Sequence, residues 1–172
     1  IRQFMHKASQ QPWFDNTIFV LLGDHGKLVG NPDSEMPQSY NHIPLMFYAP
    51  ALLTAEEKEN FGGQIDVAPT LLGMLRINYI QNNLGIDLLK EEHPCMFFSA
   101  DNMLGVKDTK HFYIYDTESK QEFNYNIHNG TLSPATANTT FDLLKTYAFS
   151  MLQTTEYLIR KQLTTDKPHS NP

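Results

Sequence analysis

The stretch Thr17 to Gly30, TIFVLLGDHGKLVG, decides how the chain is read. Ile18 to Leu22 is an unbroken apolar run. Such a run reserves no face for water, so it predicts a short strand, central and covered on both faces, of the kind found in parallel sheets. The run stops at Gly23, and Asp24 and His25 follow before Gly26 turns the chain. In open α/β sheets ligands bind beyond the carboxyl ends of the strands, and Asp24 and His25 stand at that position. A carboxylate oxygen and an imidazole nitrogen are suitable ligands for Zn2+ and Mn2+. Adjacent side chains can share an ion once the strand has ended, because they no longer point to opposite faces, and Gly23 and Gly26 permit that conformation. The same pair also serves ordinary turns as caps and hydrogen-bond partners, and two ligands do not complete a site.

Outward from this stretch the chain alternates helix and strand. Ile1, Phe4, Met5 and Ala8 follow helical spacing, so the chain is expected to start inside a fold rather than with a leader. After Gly26, residues 26–42 are rich in Gly, Pro and polar side chains and have no period, a loop of the length that is usually functional or mobile. Residues 43–50, IPLMFYAP, predict a second buried strand closed by Pro50. Thr54 and Glu57 form a possible capping box for a short helix in 54–61. Asp66 is expected to cap a helix over 67–77, with Pro69 tolerated in its first turn and Val67, Leu71, Leu72 and Leu75 lining one face. PCMFFSA, HFYIYD and EFNYNIHN predict strands, the last two as an antiparallel hairpin across TESKQ. A long helix follows, capped within Asn138 to Thr140, with Phe141, Leu144, Ala148, Met151, Thr155 and Leu158 or Ile159 as its stripe. These elements make one domain, residues 1–165, and leave 166–172 as a polar tail in which His169 is solvated.

Composition narrows the functions. With 172 residues, 41% of them hydrophobic, the chain can bury one core. The net charge of -6 and the lack of any Lys/Arg cluster argue against nucleic acid as a partner. The longest apolar run is far below the roughly 20 residues of a bilayer span, so no membrane contact is expected within the chain. Cys95, the one cysteine, lies at a strand entry and reads as a buried structural thiol. His6, His93, His111 and His128 read as structural or solvated. Phe112, Tyr113, Tyr115, Phe123 and Tyr125 read as sheet packing rather than as a sugar platform.

Three segments in order, DNTIFVLLGDHG, NHIPLMFYAP and QIDVAPTLLGMLRI, together with GIDLL at Gly85 to Leu89, carry a more specific reading. Over about residues 10–130 the chain resembles the C-terminal part of the catalytic domain of the alkaline phosphatase superfamily. The similarity is to its sulfatase-like branch, which includes lipoteichoic acid synthases and related phosphoglycerol and phosphoethanolamine transferases. The resemblance implies an α/β fold with a central, mostly parallel sheet flanked by helices, then a small antiparallel hairpin region and a long C-terminal helix. It implies that Asp24 and His25 bind one divalent cation, Mn2+ first, with Zn2+, Mg2+ or Ca2+ also accommodated. It places His42 over the active site, against the transferred group or a second metal, and reads Gln64, Asp66 and Pro69 as structural. Lys27 could meet an anionic ester, though a solvated lysine is the simpler reading.

The family's nucleophile and a further acidic metal ligand precede this region, and neither Ser9 nor Thr17 fits the nucleophile's place. The chain is therefore expected to be part of a larger catalytic domain and inactive alone. The implied substrate is a phosphate or sulfate ester of the cell envelope, at the periplasmic or extracellular face of the inner membrane, with membrane helices upstream. The resemblance does not specify an oligomeric state. SYNHIP stands where typical sulfatases carry a lysine in a Gly-rich stretch, which favours a phosphoglycerol-type transferase over a sulfatase. The other alternative is a non-catalytic descendant of the fold that binds a glycan or an envelope partner.

Overall fold

The structure, a computed structural model, describes residues 1–164, so the proposed tail and His169 lie outside the described residues. The chain divides into two compact units, residues 1–59 and residue 60 onward.

The first unit contains helix α1 (Arg2–Ala8), a 3-10 turn (Phe14–Asn16), strand β1 (Phe19–Leu22), a single helical turn α2 (Gln38–Asn41) and strand β2 (Leu45–Tyr48). Phe19 is its packing hub: the rings of Phe4, Trp13, Phe14 and Tyr48 lie 6.0, 6.2, 5.5 and 6.3 Å from it, in edge or tilted contacts that suit aromatic quadrupoles. The mixed α/β class and the long C-terminal helix are as expected, but the strand directions are not. β1 and β2 pair antiparallel, from Phe19 opposite Tyr48 to Leu22 opposite Leu45. A parallel neighbour needs a crossover, usually a helix, to carry the chain back to the same end. Residues 23–44 hold only the one turn of α2, and the chain comes straight back. The expected coverage of both faces also fails among the described residues: β1 and β2 pair only with each other, and Leu22, Met46 and Tyr48 are exposed.

Residues 54–61 form no helix. Glu56, Glu57 and Glu59 crowd a short segment with no apolar stripe, and so short a helix is marginal without one. Lys58 instead pairs with Glu56 at 2.6 Å.

The second unit opens with a 3-10 turn (Gln64–Asp66) leading into α3 (Val67–Met74). Asp66 does not cap α3 with its side chain. Its carboxylate is fully buried and accepts the N–H groups of Gly63 and Ile86, each at 2.8 Å, and the Nε2–H of His93 at 3.0 Å. The buried face of α3 is consequently Asp66, Pro69 and Thr70, not the expected leucine stripe, and Leu75 is exposed. Thr70 Oγ1 accepts the Leu88 N–H at 3.0 Å. At Gly73 a Cβ would come within 2.1 Å of Asp87 Oδ2, and at Gly85 within 2.1 Å of the Ile65 carbonyl oxygen. The GIDLL segment, Gly85 to Leu89, is thus strapped to α3 and the 3-10 turn before it by contacts that require a carboxylate, a hydroxyl and two glycines. α3 ends short of the predicted Ile77 because Arg76 turns left-handed (φ 54°) and the Arg76 and Ile77 amides bond back to the Gly73 and Leu72 carbonyls.

Five strands follow as an antiparallel meander: β3 (Met96–Ala100), β4 (Met103–Lys107), β5 (His111–Asp116), β6 (Glu122–His128) and β7 (Thr131–Pro134). The predicted β5–β6 hairpin across 117–121 is present, with His111 opposite Asn126. β4 and β7 were not expected. Their turns are Asp101-Asn102 (φ 48° and 64°) and Asn129-Gly130 (φ 47° and 77°), the two-residue, positive-φ type that matches strand twist. Helix α4 (Thr139–Arg160) covers one face of the meander. Asn138 Oδ1 caps it by accepting the Thr140 and Phe141 amides, at 2.9 and 3.3 Å. Phe141, Leu144 and Ala148 are buried against Val106, Tyr113 and Cys95, while Leu158, rather than Ile159, continues the stripe half-buried. Cys95 is the buried thiol expected, its pKa raised by burial and then by Asp108. The hairpin aromatics pack as read: Phe112, Tyr113 and Tyr125 are buried. His93 and His111 are structural, His111 Nδ1 bonding Asp108 at 3.0 Å.

Two outcomes follow for this unit. Asp66→Ala leaves three donors without an acceptor, so it should lower unfolding free energy by about 3 kcal/mol, read from the urea midpoint. Leu143→Ala, at a 71% exposed position, should change it by less than about 0.5 kcal/mol. The second outcome concerns the β5–β6 turn, where Asp116 is held below its ordinary pKa by the Ser119 hydroxyl first, then by the Glu118 and Ser119 amides. A depressed folded pKa contributes stability that is present above the unfolded value of about 3.9 and is lost as pH falls through the folded value. Asp116→Asn should therefore lower the melting temperature at neutral pH, with the gap to wild type closing as pH drops below about 3.9.

Candidate metal centre

Beyond Leu22 the chain leaves the ladder but stays beside β2. The Gly23 amide bonds the Pro44 carbonyl at 3.3 Å, and the Gly26 amide bonds the Tyr40 carbonyl at 2.8 Å. Asp24 and His25 are the two residues displayed between these clamps and the turn. Gly26 was expected to matter for conformational freedom, yet its φ is not positive. What it supplies is room, since a Cβ there would lie 2.2 Å from the Ser39 carbonyl oxygen.

The pair converges. His25 Nδ1 lies 2.6 Å from the Gly26 carbonyl oxygen, which can only accept, so Nδ1 carries a proton and any lone pair free to bind an ion is on Nε2. Nε2 stands 3.9 Å from Asp24 Oδ2. Ligand bonds to Zn2+ are about 2.0–2.2 Å, so two donors at that separation can meet on one ion. A carbonyl behind the second ring nitrogen is the arrangement that orients metal-binding histidines. Asp24 Oδ1 accepts the His25 amide at 3.0 Å. That bond, then the residue's own backbone and, when it is protonated, the His25 ring, lower the Asp24 pKa and keep the carboxylate charged. The residues fit a divalent cation in donor type, tautomer and spacing. Among the described residues no group of three or more His, Cys, Asp or Glu side chains is gathered to hold one, so the pair supplies two donors at most.

The other expected site residues are less constrained. His42 ends α2, its amide bonding the Gln38 carbonyl at 2.8 Å, and its side chain is exposed. Its neighbours Tyr40 and Ile43 lie against the turn, Tyr40 accepting the Gly26 amide and Ile43 standing 3.4 Å from where a Cβ at Gly23 would be. Lys27 is exposed on the turn. The hydroxyls of Ser9 and Thr17 donate to the His6 and Trp13 carbonyls at 2.9 and 2.8 Å, as local structure rather than as nucleophiles. Tyr40, unnoticed in the sequence, stacks on the His25 ring at 5.1 Å and 22°. An aromatic two residues before His42 was the available signal.

This geometry can be set beside known proteins. A solved structure of an alkaline phosphatase superfamily protein from Vibrio parahaemolyticus superposes with a TM-score of 0.77 at 18% identity, over 96% of this chain and 40% of that one. The chain has the alkaline phosphatase superfamily fold. Residues 1–77 match the Sulfatase family model, which bears out the resemblance to the sulfatase-like branch over the segment that holds the pair. Lipoteichoic acid synthase 1 of Bacillus subtilis (strain 168) is 26% identical over 143 residues, 73% of this chain and 22% of that protein. Lipoteichoic acid synthase 2 of the same strain is 27% identical over 142 residues, 72% and 21% respectively. The chain thus spans about a fifth of the length of these relatives. No helix among the described residues is long and apolar enough to cross a membrane.

The clamp at Gly26 can be tested. Gly26→Ala must push the Ser39 carbonyl away, and overpacking of this kind costs about 1–3 kcal/mol. Gly23→Ala meets only ordinary contact with Ile43 and should cost much less. Chemical denaturation of the two variants side by side decides.

Proposed function

We propose that this chain is the cation-binding part of a metal-dependent phosphotransferase of the sulfatase-like type. It would move a phosphoglycerol or phosphoethanolamine group to a glycan or lipid of the cell envelope, on the outer side of the membrane. The carrying observation is the 3.9 Å separation of Asp24 Oδ2 and His25 Nε2, with Nδ1 committed to the Gly26 carbonyl. Asp24 and His25 would be ligands to one divalent cation, Mn2+ first. A bound cation supplies charge for the ester oxygens and for a nucleophilic hydroxyl. On this reading the remainder of the protein contributes that hydroxyl and the further acidic ligand. His42, exposed at the end of α2, would contact the transferred group, and Lys27 would offer a weaker anion contact.

The similarity to two lipoteichoic acid synthases supports the transferase reading over a sulfatase, while the Sulfatase family match keeps sulfate ester hydrolysis as the second one. Mn2+ titration by calorimetry tests the site: Asp24→Ala should weaken binding by at least ~10–100-fold, the range that even outer-shell changes produce. Equal affinity in that variant would remove Asp24 from the site. Turnover of a glycerophosphate ester against an aryl sulfate by the intact protein then separates transferase from sulfatase.

A further inference from the structure

We propose that Tyr40 is a positioning residue for His25, an inference that rests on the cation reading above. The lone pair of an imidazole nitrogen lies in the plane of the ring, so the ring's tilt decides where Nε2 can donate. His25 stands on an exposed turn, with 57% of its side chain accessible, and burial does not hold that tilt. Two contacts do. The Gly26 carbonyl fixes one edge of the ring at Nδ1, but a single hydrogen bond still allows the ring to rock about it. The Tyr40 ring lies nearly parallel at 22° and 5.1 Å and closes off that motion from one face. With both in place, Nε2 is held toward Asp24 Oδ2.

The platform is itself anchored. Tyr40 rides on α2, whose first amide, Gln38 N–H, bonds Asp33 Oδ1 at 3.2 Å, while Asn41 Nδ2 bonds the Pro37 carbonyl at 3.1 Å. Ser34 and Met36 just before it are buried, and the Ser34 hydroxyl donates to the Met36 carbonyl at 2.9 Å. The Tyr40 carbonyl takes the Gly26 amide, so the ring and the residue whose carbonyl holds Nδ1 move together. Residues 31–41, a polar loop in sequence, thus form a bracket that presents an aromatic face to one imidazole. The work is done by the ring and not by the phenol, whose hydroxyl has no hydrogen bond among the described residues.

The test compares Tyr40→Phe, which keeps the ring, with Tyr40→Leu, which removes it, in the intact protein. Mn2+ affinity should be unchanged in Tyr40→Phe and fall ~10-fold in Tyr40→Leu, the lower end of what supporting contacts contribute to metal sites, with unchanged far-UV circular dichroism. NMR without the ion should show the His25 ring protons moved by the Tyr40 ring current in wild type and Tyr40→Phe, and unmoved in Tyr40→Leu. If Tyr40→Leu binds Mn2+ as tightly as wild type while Asp24→Ala does not, positioning by Tyr40 is overturned and the cation site stands. Wild-type His25 protons at the shifts of a free histidine would overturn it whether or not the leucine variant folds. If wild type binds no Mn2+, the cation reading falls and this inference falls with it.

Discussion

The candidate site depends on one close approach of backbone to backbone, where the chain returns from its long loop and Ser39 and Tyr40 press against Gly26. The Gly26 amide reaches the Tyr40 carbonyl at 2.8 Å, and a Cβ on residue 26 would stand 2.2 Å from the Ser39 carbonyl oxygen. Together with the Gly23 amide on the Pro44 carbonyl, that contact fixes both ends of the segment holding Asp24 and His25, which removes freedom that would otherwise scatter two exposed side chains. Everything specific to Asp24 and His25 follows from it: the carbonyl that chooses the His25 tautomer, the ring that lies against it, and the convergence on Asp24. Because the pair is exposed, a hydrophobic core cannot order it, and local hydrogen bonds and one stack must do so.

The second unit solves a related problem by the opposite means. Asp66 is buried to 0% accessibility and survives there because its two oxygens accept from two backbone amides and from His93. A buried carboxylate is tolerated only when its acceptor capacity is met in this way. In return it fastens the start of α3 to residues 86 and 93, far along the chain.

Much of this was legible in residue types. The β1 run, the aromatic hairpin, the C-terminal helix with its Asn138 cap and the buried Cys95 all follow from local patterns that tertiary structure did not overrule. The Asp24–His25 pair was legible as chemistry, and its fit to a cation as geometry was not, since spacing in sequence says nothing about which nitrogen a carbonyl will claim. Strand direction was misread because an apolar run reports burial and not orientation; the loop from 23 to 44, with one helical turn, was the better guide. β4 escaped because Gly105 interrupts its pattern, and β7 because TLSP is short and polar, although Asn129-Gly130 before it is a strong hairpin signal. The expected helix at 54–61 rested on one capping pair with no apolar face behind it. Asp66 was read as a cap because its true partners, Ile86 and His93, are 20 and 27 residues away.

The order of the meander has a kinetic meaning. Each of β3 to β7 pairs with its neighbour in sequence, across turns as short as Asp101-Asn102 and Asn129-Gly130. Closing such short loops costs little chain entropy, and proteins whose contacts are mostly local cross their folding barrier quickly. β1 and β2 can pair only after the far longer loop from 23 to 44 has closed. The Asp24–His25 pair therefore sits at the step with the larger closure cost, where its geometry is set only when that loop has found its bracket.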